Sequence, residues 1–184
     1  MAWYAHSLEG APEKQWQKLD KHLEQVAYLA EKMADVFGAG HWGHAAGLLH
    51  DLGKFTDGFQ ARLRGGIAVD HSSAGAQEAV RLFGPTAGKL LAYILAGHHG
   101  GLPDGVNAER TDLNDRLAKK LPSLDGPYPE ILTNLTLPNP PLQARAEPGF
   151  SLSFFTRMVF SCLVDADFLD TEEFLNPTSV PTFS

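Results

Sequence analysis

Cysteine is nearly missing from this chain. Cys162 stands alone among 184 residues, so no disulfide can form within the chain and no set of thiolates can hold a metal. Basic residues are outnumbered 15 to 22, and the resulting net charge of −7 argues against a broad basic stripe for nucleic acid. It does not exclude nucleic acid at a cleft where bound metal cations offset the charge locally. No run of about 18 apolar residues occurs, so no membrane span is expected. The opening MAWYAHSLEGAPEKQW lacks the basic-then-apolar order of a secretory signal. These absences predict a cytoplasmic protein with no membrane partner. No convincing strand run appears either, which leaves an all-α fold as the expectation.

The chain is 43% hydrophobic and 20% charged, ordinary for a globular protein, and its length suits one domain over about 1–175 with a tail or linker at 176–184. Apolar spacing of three and four predicts a first helix from Trp16 to Phe37, ended by Gly38 and Gly40. A second covers His41 to Leu52, with Gly53 expected as the left-handed residue after its end. TDGFQARL reads as a third helix capped by Thr56 or Asp57. Asp70 caps a fourth that contains His71 and ends near Phe83, and Pro85 opens a fifth that reaches His98-His99. Asn107 to Leu121 suggests a weaker sixth. Pro122–Gly149 holds seven of the twelve prolines and reads as a long surface excursion, a lid or a partner-facing loop. Helical spacing returns in FSLSFFTRMVFSCLVDADFLD, and the chain after Thr171 reads as frayed.

Histidine is what the chain has in quantity where it counts: seven of its eight lie between His22 and His99. His22 falls on the apolar stripe of the first helix with Val26 and Met33. His50-Asp51 closes the apolar run AAGLLHD, where a carboxylate needs a partner or a metal. His71 sits at a helix start, where the helix dipole favours the neutral, metal-binding imidazole. His98-His99 ends another apolar helix between glycines. In the last helix Asp165 and Asp167 are about 200° apart, so only one of them can face a common centre. Asp167 is the candidate and Asp165 its alternative; Asp170 reads as a solvated or capping carboxylate. His41 and His44 read as packing residues, with a supporting role for His44 left open, and His6 has too little context to place. Imidazole and carboxylate without thiolate is transition-metal chemistry, suited to Mn, Fe, Co or Ni better than to Mg.

Taken in order, His22, His50-Asp51, His71, His98-His99 and an Asp in the final helix resemble the HD superfamily of metal-dependent phosphohydrolases. More narrowly, LDKHLEQVA, AAGLLHDLGKF, FQARL, VDHSSAGA, AGHHGGLPDG and SCLVDADFLDTE resemble the HD nuclease domain of the helicase-nuclease of type I CRISPR systems, over about Trp3 to Glu173. The resemblance implies an HD-domain helical bundle with two divalent transition metal ions. On that pattern His22, His50, Asp51 and Asp167 hold one ion, and Asp51 bridges to a second held by His71, His98 and His99. Lys54 would contact the scissile phosphate. The implied substrate is single-stranded DNA, cut in antiviral defence. The implied partners are a helicase domain or subunit and a CRISPR surveillance complex. No G-x-x-x-x-G-K-[ST] string is present, so the chain reads as a stand-alone nuclease subunit or an excised domain. Two ions of this kind suit phosphodiester hydrolysis, because they acidify a water and stabilise attacking and leaving oxygens. Two other readings share the residues: a phosphohydrolase of nucleotides or cyclic nucleotides, and a non-catalytic helical adaptor holding structural metal.

Overall fold

Leu19, Leu23, Val26, Ala27, Ala30 and Ala34 are fully buried along one face of α1 (Leu19–Asp35), the spacing of a helix with a single core-facing stripe. The stripe is small-sided toward its middle, and α2 (Gly40–Leu49) uses that. Gly43 and Gly47 of α2 face Ala30 and Ala27, so close that a Cβ on either glycine would fall on the α1 backbone. This computed structural model describes residues 2–105, 112–142 and 147–177. Around the α1–α2 pair stand α3 (Asp57–Leu63), α4 (Ser72–Phe83), α5 (Lys89–Gly97), α6 (Leu113–Ala118), the single turn α7 (Tyr128–Ile131) and the long α8 (Pro148–Leu175). α8 lays Phe155, Val159, Leu163 and Ala166 against α1, α2 and α5, and α4 pairs with α5. The all-α expectation holds, and no described helix is long and apolar enough to cross a membrane.

A two-stranded antiparallel sheet departs from that expectation. β1 (Tyr4–His6) pairs with β2 (Gln17–Lys18), with Tyr4 opposite Lys18 and His6 opposite Gln17. The helix predicted from Trp16 therefore starts at Leu19, because Gln17 and Lys18 give their backbone to β1. Trp16 packs edge-on to Tyr4 and its indole N–H donates to the Ala11 carbonyl.

Other boundaries shift for local reasons. Thr56, not Asp57, caps α3, its hydroxyl accepting from the Phe59 amide. Asp70 does cap α4 through the Ser73 amide and hydroxyl, and His71 stands just before the helix. Gly53 is not left-handed: it is needed because its α-carbon lies against the His71 backbone, where a Cβ has no room. Gly84–Gly88, with Pro85, forms a wide helical turn before α5. The sixth helix is short and capped by Asp112, and the 107–111 part of the expected helix lies outside the described residues. α8 runs on to Leu175 instead of fraying after Thr171; 178–184 lie outside the description.

The proline-rich stretch, read as a lid or a partner-facing loop, is anchored to the body of the fold. Its described part, which excludes 143–146, packs Leu124, Tyr128, Ile131 and Leu135 on the core. It is pinned where the Asp125 amide donates to Phe55 O and the Trp42 indole donates to Pro138 O.

The close α1–α2 crossing yields a stability test. Gly47→Ala should lower the unfolding free energy by about 2–3 kcal/mol through overpacking, even though alanine favours helix by roughly 1 kcal/mol. Gly149→Ala, whose Cβ would meet nothing within 4 Å, should be neutral or stabilising by up to about 1 kcal/mol. Urea denaturation measures both; equal midpoints would contradict the crossing described.

Candidate metal centre

Two helices end at the same place, and each ends on histidine. His50 follows α2 and donates its Nδ1–H to the Gly47 carbonyl at 2.8 Å; His98 follows α5 and donates to Leu95 O at 2.7 Å. The last carbonyls of a helix lack an intrahelical partner, and here they take the imidazole proton three residues on. Both rings are thereby oriented with Nε2 turned inward, free to carry a proton or to face a cation. His22 of α1 reaches the same state differently, through a 2.6 Å bond from Nδ1 to Asp170 Oδ2 of α8.

Those Nε2 atoms converge on Asp51. Its Oδ2 lies 3.3 Å from His22 Nε2 and 3.3 Å from His50 Nε2, while its Oδ1 lies 3.5 Å from His71 Nε2 and 3.6 Å from His98 Nε2. Asp167 Oδ1 closes the first group, 3.4 Å from His22 Nε2 and 3.7 Å from His50 Nε2. His99 closes the second, its Nε2 2.7 Å from that of His71. All seven candidate residues are thus brought together in two groups that meet at Asp51, with Asp167 facing the histidines and Asp165 exposed.

The donor set fits a metal on its own terms. Asp51 is fully buried, neither carboxylate oxygen has an aligned hydrogen-bond donor, and His98 Nε2 is buried and unpartnered. With both Nδ1 protons committed, His22 and His50 bring their Nε2 atoms to 3.2 Å of each other, a contact that a shared proton or a metal cation between them reconciles. Donors about 2.0–2.2 Å from one ion lie roughly 3–3.5 Å apart, the range seen here for most pairs. His and Asp groups here could therefore hold divalent metal.

Charge balance says the same. Burial opposes ionisation of Asp51, but Lys54, His50 and His22 hold its carboxyl far below the usual carboxylate range. Burial likewise opposes charge on Asp167, and His50 keeps it low. Burial alone would push His50 down, yet the facing Asp51 and Asp167 carboxylates raise it to about 10. Burial and the nearby His98 lower His99 to about 4, and burial with Lys54 lowers His6 to about 4. His71 is also lowered, chiefly by burial, so it is neutral as expected, but for that reason more than for its place at a helix start.

Lys54 is buried, with Nζ 2.5 Å from Asp51 Oδ2 and 3.4 Å from His6 Nε2. It lines a cleft of about 570 Å³ together with His6, Arg62, His71, His99 and Leu175. The sequence reading misplaced or missed three residues here. Asp170, read as solvated or capping, is buried on His22; the signal was the buried spacing Val159, Leu163, Ala166, Asp170, which carries the core face through it. His6 and Gln17 arrive through the unforeseen sheet, and no pattern marked them. His44 pairs with Glu31 at 2.9 Å on a half-exposed surface, and His41 is exposed, so neither supports the centre.

A proton inventory tests the centre. Raised from an unfolded value near 6.5 to about 10, protonated His50 contributes stability to the metal-free fold that is complete below pH 6.5 and lost as pH rises through about 10. Mn²⁺ binding near pH 8 should therefore expel about one proton, read as a dependence of calorimetric heat on buffer ionisation enthalpy. Identical heats across buffers would contradict the arrangement.

No curated protein is significantly similar to the chain. Residues 19–125 match the family model described as HD domain. The matched stretch holds His22, His50, Asp51, Lys54, His71, His98 and His99, while Asp167 and Asp170 lie beyond it. HD domains are typically metal-dependent hydrolases, and the two His/Asp sets are the chemistry such an enzyme needs. Matched over more than half its length, with five of the seven histidines of that segment and Asp51 gathered at one centre, the chain belongs to the HD-domain family.

Proposed function

We propose that this chain is a metal-dependent nuclease that hydrolyses phosphodiester bonds of single-stranded DNA. The observation that carries the reading is the charge of the cleft beside the centre. In a chain of net charge −7, that cleft is lined by Lys54 and Arg62, with no carboxylate among its described lining residues. Past His71 a second cleft, about 720 Å³, brings Arg116 and Lys119 beside Asp70 and Asp115. Two clefts meeting at one histidine suit a strand that passes the centre better than a pocket closed around one nucleotide. The preference for single strands, the role in type I CRISPR interference, and the helicase and surveillance-complex partners rest on the sequence resemblance. Weak phosphate affinity elsewhere on an acidic surface accords with substrate delivered by such partners.

In this reading His22, His50, Asp51 and Asp167 would hold one divalent ion, and Asp51, His71, His98 and His99 would hold a second. The histidine-rich donors favour Mn, Fe, Co or Ni over Mg. When bound, such ions lower the pKa of a water and offset charge on the attacking and leaving oxygens of the phosphodiester. The chain's own contribution is orientation and charge. The bonds to Gly47, Leu95 and Asp170 keep three imidazoles aimed inward without reorganisation. Lys54, at the floor of the cleft, offers its ammonium to a non-bridging phosphoryl oxygen as negative charge develops there. Arg62, at the rim, holds a neighbouring phosphate.

Wild-type protein with Mn²⁺ or Ni²⁺ should cut a single-stranded DNA circle, slowly and without sequence preference. Asp51→Ala should abolish cutting, Lys54→Ala should lower kcat by about 10²–10³, and Asp165→Ala should leave it unchanged. Turnover of mononucleotides or cyclic nucleotides without cutting would replace this reading by the small-substrate one. Tightly held metal with no turnover of either would indicate a structural site.

A further inference from the structure

The metal-facing residues are backed by a hydrogen-bonded chain that no motif of the sequence announced. Its links are His6 Nδ1 to Gln17 Oε1 at 2.7 Å, Gln17 Nε2 to Asp170 Oδ2 at 2.6 Å, and His22 Nδ1 to the same Asp170 oxygen at 2.6 Å. At its other end His6 Nε2 faces Lys54 Nζ at 3.4 Å. His6 and His22 also touch ring to ring, edge-on, with centroids 5.0 Å apart.

Donor and acceptor counting permits one direction only. Asp170 as a carboxylate can only accept, so Gln17 must present its NH₂ to it and His22 its Nδ1–H. The Gln17 carbonyl then faces His6, which must donate from Nδ1 and keep a bare Nε2. That lone pair meets the Lys54 ammonium, which has only protons to offer. From Lys54 through His6 and Gln17, each group donates onward, and the chain ends on Asp170, where His22 also donates.

We infer that His6, Gln17 and Asp170 are positioning residues that fix His22 as a metal-facing Nε2 ligand and fix Lys54 at the floor of the cleft. The inference rests on the metal-binding reading above and adds residues from outside the HD-matched segment. Asp170 does two things. It makes the Nδ1–H tautomer of His22 the stable one, and it holds the ring so that Nε2 faces the centre. Gln17 keeps Asp170 turned toward His22 while linking it to strand β1. The small sheet is thereby part of the centre: β1 supplies His6, β2 supplies Gln17, and their pairing sets the two side chains opposite each other.

Two measurements on the full chain test this. Long-range ¹H–¹⁵N correlation spectra of metal-free protein report histidine tautomers directly, and both His6 and His22 should carry the proton on Nδ1. Asp170→Leu, which removes the acceptor, should shift His22 toward the Nε2–H form; Asp170→Asn, which keeps an acceptor oxygen, should restore it. Gln17→Met should release His6 in the same way. Calorimetric titration with Mn²⁺ should show affinity about 10- to 100-fold weaker in Asp170→Leu, a smaller loss in Gln17→Met, and none in Asp165→Asn.

His22 remaining Nδ1–H in Asp170→Leu would overturn the inference. So would Gln17→Met with wild-type tautomers and wild-type Mn²⁺ affinity. Should Asp170→Leu fail to fold, Gln17→Met decides alone, since Gln17 is only half-buried. A wild type that binds no Mn²⁺ would defeat the metal reading, whereas the tautomer spectra would still judge the positioning chain by itself.

Discussion

A carboxylate with no access to water organises this molecule. Asp51 is fully buried at the end of α2, and neither oxygen has an aligned donor. Such a charge is untenable in a protein interior unless cationic groups surround it. Everything near it answers that demand. Lys54 lies against one oxygen, His22 and His50 turn Nε2 to the same side, and His71 and His98 turn theirs to the other. Neutral imidazoles cannot neutralise a carboxylate, and their own lone pairs repel one another at these distances. Only a proton or a metal ion between them resolves both problems, and the rise of His50 to about 10 expresses the same deficit of positive charge.

The fold is arranged to make that crowding possible. α1 and α2 cross through alanine and glycine because larger side chains would hold His22 away from His50. Gly53 lets the turn after Asp51 lie on the His71 backbone, which fixes the distance between the two ligand sets. The histidines after α2 and α5 use helix-end carbonyls as orienting groups, so two ligands need no added residue to hold them. α8 then crosses α1 with Asp167 and Asp170 four and seven residues past Leu163, one facing the Nε2 side of His22 and the other its Nδ1 side.

What could be read from the sequence and what could not divide along physical lines. The helices with a one-sided apolar stripe were legible, because burial of that face is what makes them helices. The residues that gather at the candidate centre were legible because histidine and aspartate ending apolar runs have few bland explanations, and the helix angle between Asp165 and Asp167 left only one able to face inward. The β1–β2 pairing was not, since three residues against two carry no period. Hence His6 and Gln17 were invisible, and the start of α1 was misread by three residues. The proline-rich segment was read as a lid or a partner-facing loop, and its packing on the core was not foreseen, because proline content reports the absence of helix, not where a segment packs. Its leucines and Tyr128 were the better guide. Asp170 was misassigned by weighing it as a lone charge near a helix end, although its spacing put it on the buried face.

The centre is assembled from both ends of the chain. The HD-matched stretch supplies most of the candidate ligands, yet Asp167 and Asp170 come from α8, and His6 and Gln17 from the strands before α1. Closing the charge around Asp51 therefore joins β1, β2, α1, α2, α4, α5 and α8 at a single point. In a chain with one cysteine and no disulfide, that point takes the role a covalent staple plays elsewhere, tying together segments more than 100 residues apart in sequence: His22 and Asp170 alone are separated by 148. A ligand set of this kind does not exist in the unfolded chain, so the free energy of holding a cation there is also free energy of folding. On the proposed reading, the cation that would activate water would also make burial of Asp51 tolerable, so its removal would cost stability as well as activity.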